Sequence, residues 1–194
     1  MEKKLKFIVQ DNTQGWQEDL PLRLMFQDEA RFGLISEARR CWCPKPERPI
    51  CKTMISQQYT YAYSAVSILE GNMDSLVLPY VKTSCMQIFL NEVSSRYPNE
   101  RILMIADGAG WHKSKSLIIP WNIKLIIQPP YSPELNPVEH IWDEVKEKYF
   151  HNRVFDDLAS LENHLVSSLS NLETDHKRVK SIVAWQWIIK AISN

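Results

Sequence analysis

Runs of apolar residues along the chain predict several strands in the first part of the chain. Helices and further strands alternate after them. Short apolar or aromatic runs at residues 22–26, 59–69 and 76–78 are typical of strands that bury one face. Residues 101–107 and 123–127 are continuous apolar runs, a pattern typical of strands that are buried on both faces. The middle of the chain is therefore predicted to contain the centre of the sheet.

Apolar residues at helical spacing predict helices after residue 83. The predicted helical segments are 84–97, a short one at 114–119, 137–150, a segment beginning near 158, and 178–192. Strands followed by alternating helices and strands are typical of an α/β fold, a mixed sheet with helices on both faces.

Four local predictions accompany this order. Residues 1–21 are polar and aperiodic and are expected to be a leader or linker remnant, so that the main domain covers 22–194. Arg31 to Ile35 is expected to return as a hairpin partner of the first strand. Ser84 is expected to cap its helix, and Gly71 with Asn72 to form a turn between strands.

Composition changes this picture little. The 194 residues carry 23 basic and 23 acidic side chains, and 44% of them are hydrophobic, which is typical of a globular protein. No apolar run approaches the length of a membrane span or a signal peptide, so a cytoplasmic location is expected. Cys41 and Cys43 are too close for a zinc-ribbon spacing, so free thiols are favoured over a zinc site.

Basic residues are concentrated between residues 31 and 52. They are Arg31, Arg39, Arg40, Lys45, Arg48 and Lys52, against two acidic residues in the same stretch. A local excess of this kind is typical of a surface that contacts phosphates, and it also occurs on an ordinary solvated hairpin. The pattern alone leaves both readings open.

Three carboxylates occupy positions that suggest a common site. Asp28 and Asp107 each follow an apolar run, and ligands in α/β sheets bind at the carboxyl ends of parallel strands. Glu139 lies at the start of a helix that is opened by Asn136, a good N-cap residue, and Pro137. Taken singly, either aspartate is an ordinary turn residue and Glu139 is an ordinary capping residue.

If the three carboxylates meet, their repulsion needs an explanation. Two like charges about 4 Å apart cost on the order of 4 kcal/mol at an effective dielectric near 20. Either a shared proton or hard divalent cations would relieve that cost, and an all-oxygen cluster suits Mg²⁺ or Mn²⁺. Two such ions about 3.5–4 Å apart can promote an in-line displacement at phosphorus.

Three motifs in this chain resemble the catalytic domain of mariner-like insertion-sequence transposases, which belong to the DDE superfamily and have an RNase H-like fold. The motifs span Phe26–Gly33, Ala106–His112 and Pro129–Glu139, the last with a Pro-Pro-Tyr-Ser-Pro-Glu-Leu-Asn-Pro turn. The resemblance implies Asp28, Asp107 and Glu139 as a triad that binds Mg²⁺ or Mn²⁺, with two ions expected. It also implies that His112 lies near this triad.

The resemblance further implies an activity and its DNA partners, and two alternative functions stay open. It implies metal-dependent hydrolysis and strand transfer at terminal inverted repeats, on transposon-end and target DNA, by a homodimer that acts at the nucleoid. The alternatives are another RNase H-like nuclease, acting on hybrids or junctions, and a non-catalytic DNA-binding remnant.

The chain departs from the family at two places. Gly108 stands where the family usually has Asn, and residues 1–21 cannot form the helix-turn-helix that members of the family carry. We therefore expect a helix-turn-helix on a separate polypeptide or in a missing N-terminal domain.

Overall fold

A five-stranded mixed sheet forms the centre of the molecule. The computed structural model describes residues 2–34, 43–46, 56–130 and 132–192. The strands are β1 (Leu22–Gly33), β2 (Tyr59–Ser67), β3 (Met73–Leu78), β4 (Arg101–Ala106) and β5 (Ile123–Ile127). They lie in the order β3-β2-β1-β4-β5, with β1, β4 and β5 parallel and β2 antiparallel to both of its neighbours.

Helices cover both faces of this sheet in the described part of the chain. They are α1 (Glu2–Thr13), α2 (Thr83–Arg96), α3 (Val138–Val145), α4 (Leu158–Glu173), α5 (His176–Val183) and α6 (Gln186–Ile192). A 3₁₀ turn (Pro133–Leu135) precedes α3, and a single π-helical segment (Lys146–Phe150) follows it. The predicted mixed α/β sheet with helices on both faces is confirmed.

Alternation along the central strands divides the core into two layers. Leu24 and Phe26 of β1 pack in one cluster with residues of α1, α3, α4, α5 and α6. Met25 packs in the other cluster, together with Met104 of β4 and the buried stripe of α2. Because successive strand residues point to opposite faces, these uninterrupted apolar runs serve both layers at once.

The N-terminal segment differs from the prediction. Residues 2–13 form α1 instead of an aperiodic leader, and Leu5 and Val9, one turn apart, are buried in the core. Lys124 of β5 donates a hydrogen bond to the Asn12 carbonyl at 2.8 Å, which ties the end of this helix to the sheet. Two buried positions in an otherwise largely polar helix are too few for the sequence pattern to reveal it.

Several local predictions were wrong in detail. Residues 31–33 continue β1 instead of returning as a hairpin, because β2 supplies the antiparallel partner, with Gly33 opposite Tyr59. Residues 114–119 form turns and extended backbone, and the predicted helix at 178–192 is split into α5 and α6.

Two further local predictions, the cap at Ser84 and the turn at Gly71, had different outcomes. Helix α2 begins after Lys82 without a side-chain cap, so the predicted Ser84 cap is absent. Gln87 instead binds the backbone of Ile118, donating to its carbonyl and accepting from its N–H, each at 2.7 Å. The predicted turn at Gly71 is confirmed: this residue has φ of +76°, and a Cβ there would lie 2.3 Å from the His176 carbonyl oxygen.

Candidate active site

The edge of the sheet where β4 ends brings two aspartates together. Parallel pairing between β1 and β4 stops at Phe26 and Ile105, while β1 runs on beside β2. Asp28 therefore lies within β1, opposite Ser64, and not at the strand end that the sequence suggested. Asp107 follows directly after the last residue of β4. Both aspartates thus leave the sheet at the carboxyl edge of its parallel strands.

The turn before α3 places Glu139 at the same edge. Asn136 is buried, and its amide nitrogen donates to the Gln27 carbonyl of β1 at 3.0 Å. Its side-chain oxygen accepts from the Val138 N–H at 3.2 Å, so the predicted N-cap contact is present. One buried side chain therefore joins the start of α3 to the strand residue next to Asp28, with Glu139 in the first helical turn.

Asp28 is the most enclosed of the three carboxylates, with 8% of the residue exposed. Its Oδ2 accepts a hydrogen bond from the indole Nε1 of Trp142 at 3.0 Å, one turn beyond Glu139. Burial, followed by the charge of Glu139, raises the pKa of Asp28 to about 8. Without a cation, this carboxyl group is therefore mostly protonated at neutral pH.

Asp107 is held in the ionised state by its own turn. Its Oδ1 pairs with Nδ1 of His112 at 2.8 Å and accepts from the Ala109 N–H at 3.0 Å. The hydrogen bond from His112 lowers the pKa of Asp107, more than partial burial raises it. Since both interactions use Oδ1, the second carboxylate oxygen remains available for a ligand.

His112 connects Asp107 to a fourth carboxylate. Its Nε2 donates to Oε1 of Glu29 at 2.9 Å, and its side chain is fully buried. Burial alone would lower the pKa of His112, but the hydrogen bonds to Asp107 and Glu29 outweigh it and raise the pKa to about 10. Trp111 Nε1 and Gln27 Nε2 also donate to Oε1 of Glu29, at 3.2 and 3.1 Å. The row Glu29–His112–Asp107 thus fixes the orientation of Asp107 from the opposite face of β1.

Glu139 is exposed, and its side chain has no hydrogen bond or ion pair within the described ranges. Partial burial, with the charges of Asp143 and Asp107, raises the pKa of Glu139 against the attraction of Lys146. The capping-box alternative would have its side chain accept from the Asn136 N–H, but that N–H donates to the Pro133 carbonyl at 2.9 Å. Glu139 is therefore a free carboxylate at the mouth of the site.

One cavity of about 380 Å³ contains all three predicted carboxylates in its wall. The described residues that line it are Asp28, Asp107, Gly108, Gln128, Pro129, Pro130, Ser132, Pro133, Asn136 and Glu139. The wall is acidic, and three of its side chains present carboxylate oxygens as ligand atoms. This chemistry fits hard divalent cations, because carboxylate oxygens are the ligands that Mg²⁺ and Mn²⁺ prefer.

A second group of ligand atoms lies close by. One ligand atom from each of Glu29, Asp107 and His112 lies within 4.8 Å of the other two. However, both ring nitrogens of His112 face carboxylate oxygens, and an imidazolium ring has no lone pair to give a metal. The chemistry therefore favours a positioning role for this group over a metal site.

The structure describes two of the six predicted DNA-contacting residues. Arg31 is exposed at the far end of β1, with its guanidinium 5.3 Å from the centre of the Tyr59 ring, and Lys45 is exposed as well. Arg39, Arg40, Arg48 and Lys52 lie outside the described residues, so their place relative to the cavity stays a prediction.

Comparison with known proteins agrees with this geometry. A family model described as DDE superfamily endonuclease matches residues 23–162, which include β1 to α3 and all three carboxylates. The chain belongs to the DDE superfamily endonuclease family. The predicted family assignment is therefore confirmed.

Relatives of this DDE endonuclease include one curated protein and several solved structures. The uncharacterized protein y4pE/y4sA of Sinorhizobium fredii (strain NBRC 101917 / NGR234) is 35% identical over 130 residues, covering 66% of this chain and 96% of that protein. The Mos1 mariner paired end complex with Mn matches with a TM-score of 0.67 and 15% identity, covering 99% of this chain. A pre-cleavage Mos1 transpososome matches with the same TM-score and 13% identity, again over 99% of this chain.

The chain spans 61% of the Mos1 chain in each of these two structures. At this level of identity the likeness concerns the fold, and it confirms the predicted RNase H-like α/β architecture. No helix in the described ranges combines the length and apolar character that a membrane span requires.

Sequence reasoning missed Glu29, although a signal was present. Asp28 and Glu29 are adjacent, and neighbouring strand residues point to opposite faces of a sheet. An acidic residue at a position that should be buried needs a partner, and His112 is one of few candidates. The long continuation of β1 concealed this, because the strand was expected to end at Asp28.

Proposed function

We propose that this DDE endonuclease is the catalytic domain of a mariner-like transposase. It hydrolyses phosphodiester bonds and carries out strand transfer at transposon ends, with Mg²⁺ or Mn²⁺ held by Asp28, Asp107 and Glu139. The observation that supports it best is the convergence of these carboxylates, from three separate elements, on one cavity. The intact triad favours a catalytic domain over a non-catalytic remnant.

The raised pKa values of Asp28 and Glu139 support a cation site. Two of the three carboxyl groups resist ionisation, chiefly because they are taken out of water, and mutual repulsion adds to this effect. A bound divalent cation would reverse both effects, favour the ionised state and release protons on binding. When bound, two such ions would activate the attacking oxygen and stabilise the leaving oxygen at phosphorus.

The other residues of the site hold these ligands in place. Trp142 orients Asp28 through its indole N–H, and His112 orients Asp107 while keeping it ionised. Asn136 fixes the start of α3 against β1, so that Glu139 faces the same cavity. Ligands presented by two strands and a buried helix start are well suited to a preorganised site.

The partners we propose are DNA molecules and a second copy of the chain. Solved structures that are similar to this chain include a Mos1 paired-end complex with left transposon end and a Mos1 strand transfer complex. By analogy, the substrates here are terminal inverted repeats and target DNA, and the active form is a dimer. End recognition by a separate helix-turn-helix polypeptide or domain, and the division into residues 1–21 and 22–194, stay predictions.

A nicking assay on supercoiled DNA tests this proposal. The wild-type chain is expected to nick in Mn²⁺ or Mg²⁺ and to be inactive after chelation. Asp107→Asn should fold normally and lose nicking, while Asp156→Asn, an exposed change on the loop before α4, serves as the matched control and should keep it. Equal nicking by wild type and Asp107→Asn would show that the activity does not come from this site.

A further inference from the structure

Two hydrogen-bond donors, one beside the cavity wall and one lining it, have no role in the metal triad. Gly108 lines the cavity directly beside Asp107. A Cβ built on Gly108 would lie 3.0 Å from Nζ of Lys113 and 3.7 Å from its Cε. The ammonium group therefore occupies the space that a side chain at residue 108 would fill.

Lys113 has no protein partner that would account for this position. It is exposed, and in the described part of the chain no carboxylate oxygen pairs with its ammonium group. Its charge nevertheless reaches the site, since it contributes to the lowered pKa of Asp107. An unpaired ammonium group next to Gly108, which lines the acidic cavity, is suited to an anion that enters beside the carboxylates.

Gln128 supplies the second donor. It follows β5, only 9% of the residue is exposed, and it lines the same cavity. Its amide nitrogen is buried and has no hydrogen-bond partner, although its backbone N–H donates to the Ala106 carbonyl at 2.8 Å. A buried donor without a partner is unfavourable unless a ligand satisfies it, so this amide is poised for an acceptor in the cavity.

We propose that Lys113 and Gln128 bind a non-bridging oxygen of a DNA phosphodiester beside the carboxylate triad. Gly108 supports this phosphate-binding pair, because the missing side chain makes room for the ammonium group and for close approach of the backbone to the ligand. The pair sets the position of the phosphate next to Asp107 without contributing a metal ligand. This inference rests on the proposed function, since it takes the ligand to be DNA.

Binding of a short fluorescent DNA duplex to the full chain in Mg²⁺, followed by anisotropy, tests the proposal. Lys113→Met is expected to weaken binding about tenfold, the loss expected for one charge-assisted hydrogen bond. Lys115→Met removes the same charge two residues away and is expected to have a clearly smaller effect. Equal losses in the two variants, or none in Lys113→Met, would overturn the assignment of Lys113.

Gly108→Ala gives an independent check that does not remove a charge. The new Cβ should displace the ammonium group and weaken binding, while in a Lys113→Met background the same change should add little. Full additivity of the two changes would contradict the link between Gly108 and Lys113.

Gln128→Leu separates ligand binding from a structural role. It should weaken DNA binding about threefold while the DNA-free protein melts no lower than wild type, because an unpaired donor is removed. A lower melting temperature with unchanged affinity would assign Gln128 to the core instead. Nicking by wild type but not by Asp107→Asn tests the proposed function separately, so a failure of either idea can be recognised.

Discussion

Replacement of Asp28 by Asn should stabilise the metal-free protein at high pH. Asn keeps an oxygen that can accept from the indole N–H of Trp142, but it carries no charge. The change therefore isolates the cost of ionising a carboxyl group that is almost fully enclosed.

The size of this stabilisation follows from the shift in the pKa of Asp28. The pKa of Asp28 is about 8 in the folded protein against 3.8 for an ordinary aspartate. A raised pKa means that the folded state binds the proton more tightly, so this carboxyl group lowers stability as pH rises from about 4 and costs most above about 8. A shift of about 4 units corresponds to on the order of 5 kcal/mol, and relaxation of the cavity will reduce this to a few kcal/mol.

Urea denaturation in a chelator at about pH 5 and about pH 8.5 measures the difference. The advantage of Asp28→Asn over wild type should grow by a few kcal/mol between these two pH values. The exposed control Asp156→Asn should show no such growth. If Asp28→Asn were equally or less stable than wild type at the higher pH, the argument from burial and charge repulsion would be wrong.

Three further predictions concern Glu139, the hydrogen bonds of His112 and the basic residues between 31 and 52. Glu139→Gln should fold nearly normally, because its side chain makes no capping bond, yet lose metal-dependent nicking; full activity in this variant would remove Glu139 from the metal site. The His112 ring should stay protonated above about pH 8 in an NMR titration, since its pKa is about 10, and the stability that it adds should be lost only as pH rises from about 6.5 through 10. Glu29→Gln should lower that pKa, and a ring that titrates near 6.5 in wild type would contradict the bridging role. Neutralising Arg31, Arg39, Arg40, Lys45, Arg48 and Lys52 together should weaken DNA binding for all sequences and flatten its salt dependence, whereas an unchanged salt slope would assign these residues to an ordinary solvated surface.

The parts of the fold that could be predicted from the sequence are those with a strong local pattern. β4 and β5 are continuous apolar runs, and a strand buried on both faces leaves few other interpretations. The cap at Asn136 was predictable because a short polar side chain before Pro137 has a specific local role. These elements alone were enough to bring Asp107 and Glu139 toward the same edge.

The parts that could not be predicted depend on long-range pairing. β1 includes Asp28 and Glu29 and continues to Gly33, because β2 pairs with it along that length. β2 is distant in sequence, so this pairing leaves no local pattern. α1 is helical because two residues pack against the core, which no periodicity announces. The pairing of Glu29 with His112 was also missed, because the two residues lie 83 positions apart and their contact depends on the loop after β4.

The Gly108 departure has a physical explanation that only the coordinates supply. The motif alone marks it as a missing Asn, whereas in the structure the Lys113 ammonium group lies 3.0 Å from where a Cβ of residue 108 would be. The absence of a side chain at Gly108 is thus accompanied by the presence of the Lys113 ammonium group beside the cavity wall.

The most direct test of the account is anomalous diffraction from crystals of the wild-type chain soaked in Mn²⁺. Manganese peaks are expected between the carboxylates of Asp28, Asp107 and Glu139, and they should be lost in crystals of Glu139→Gln. Peaks only among Glu29, Asp107 and His112, or no peaks at a saturating concentration, would contradict it.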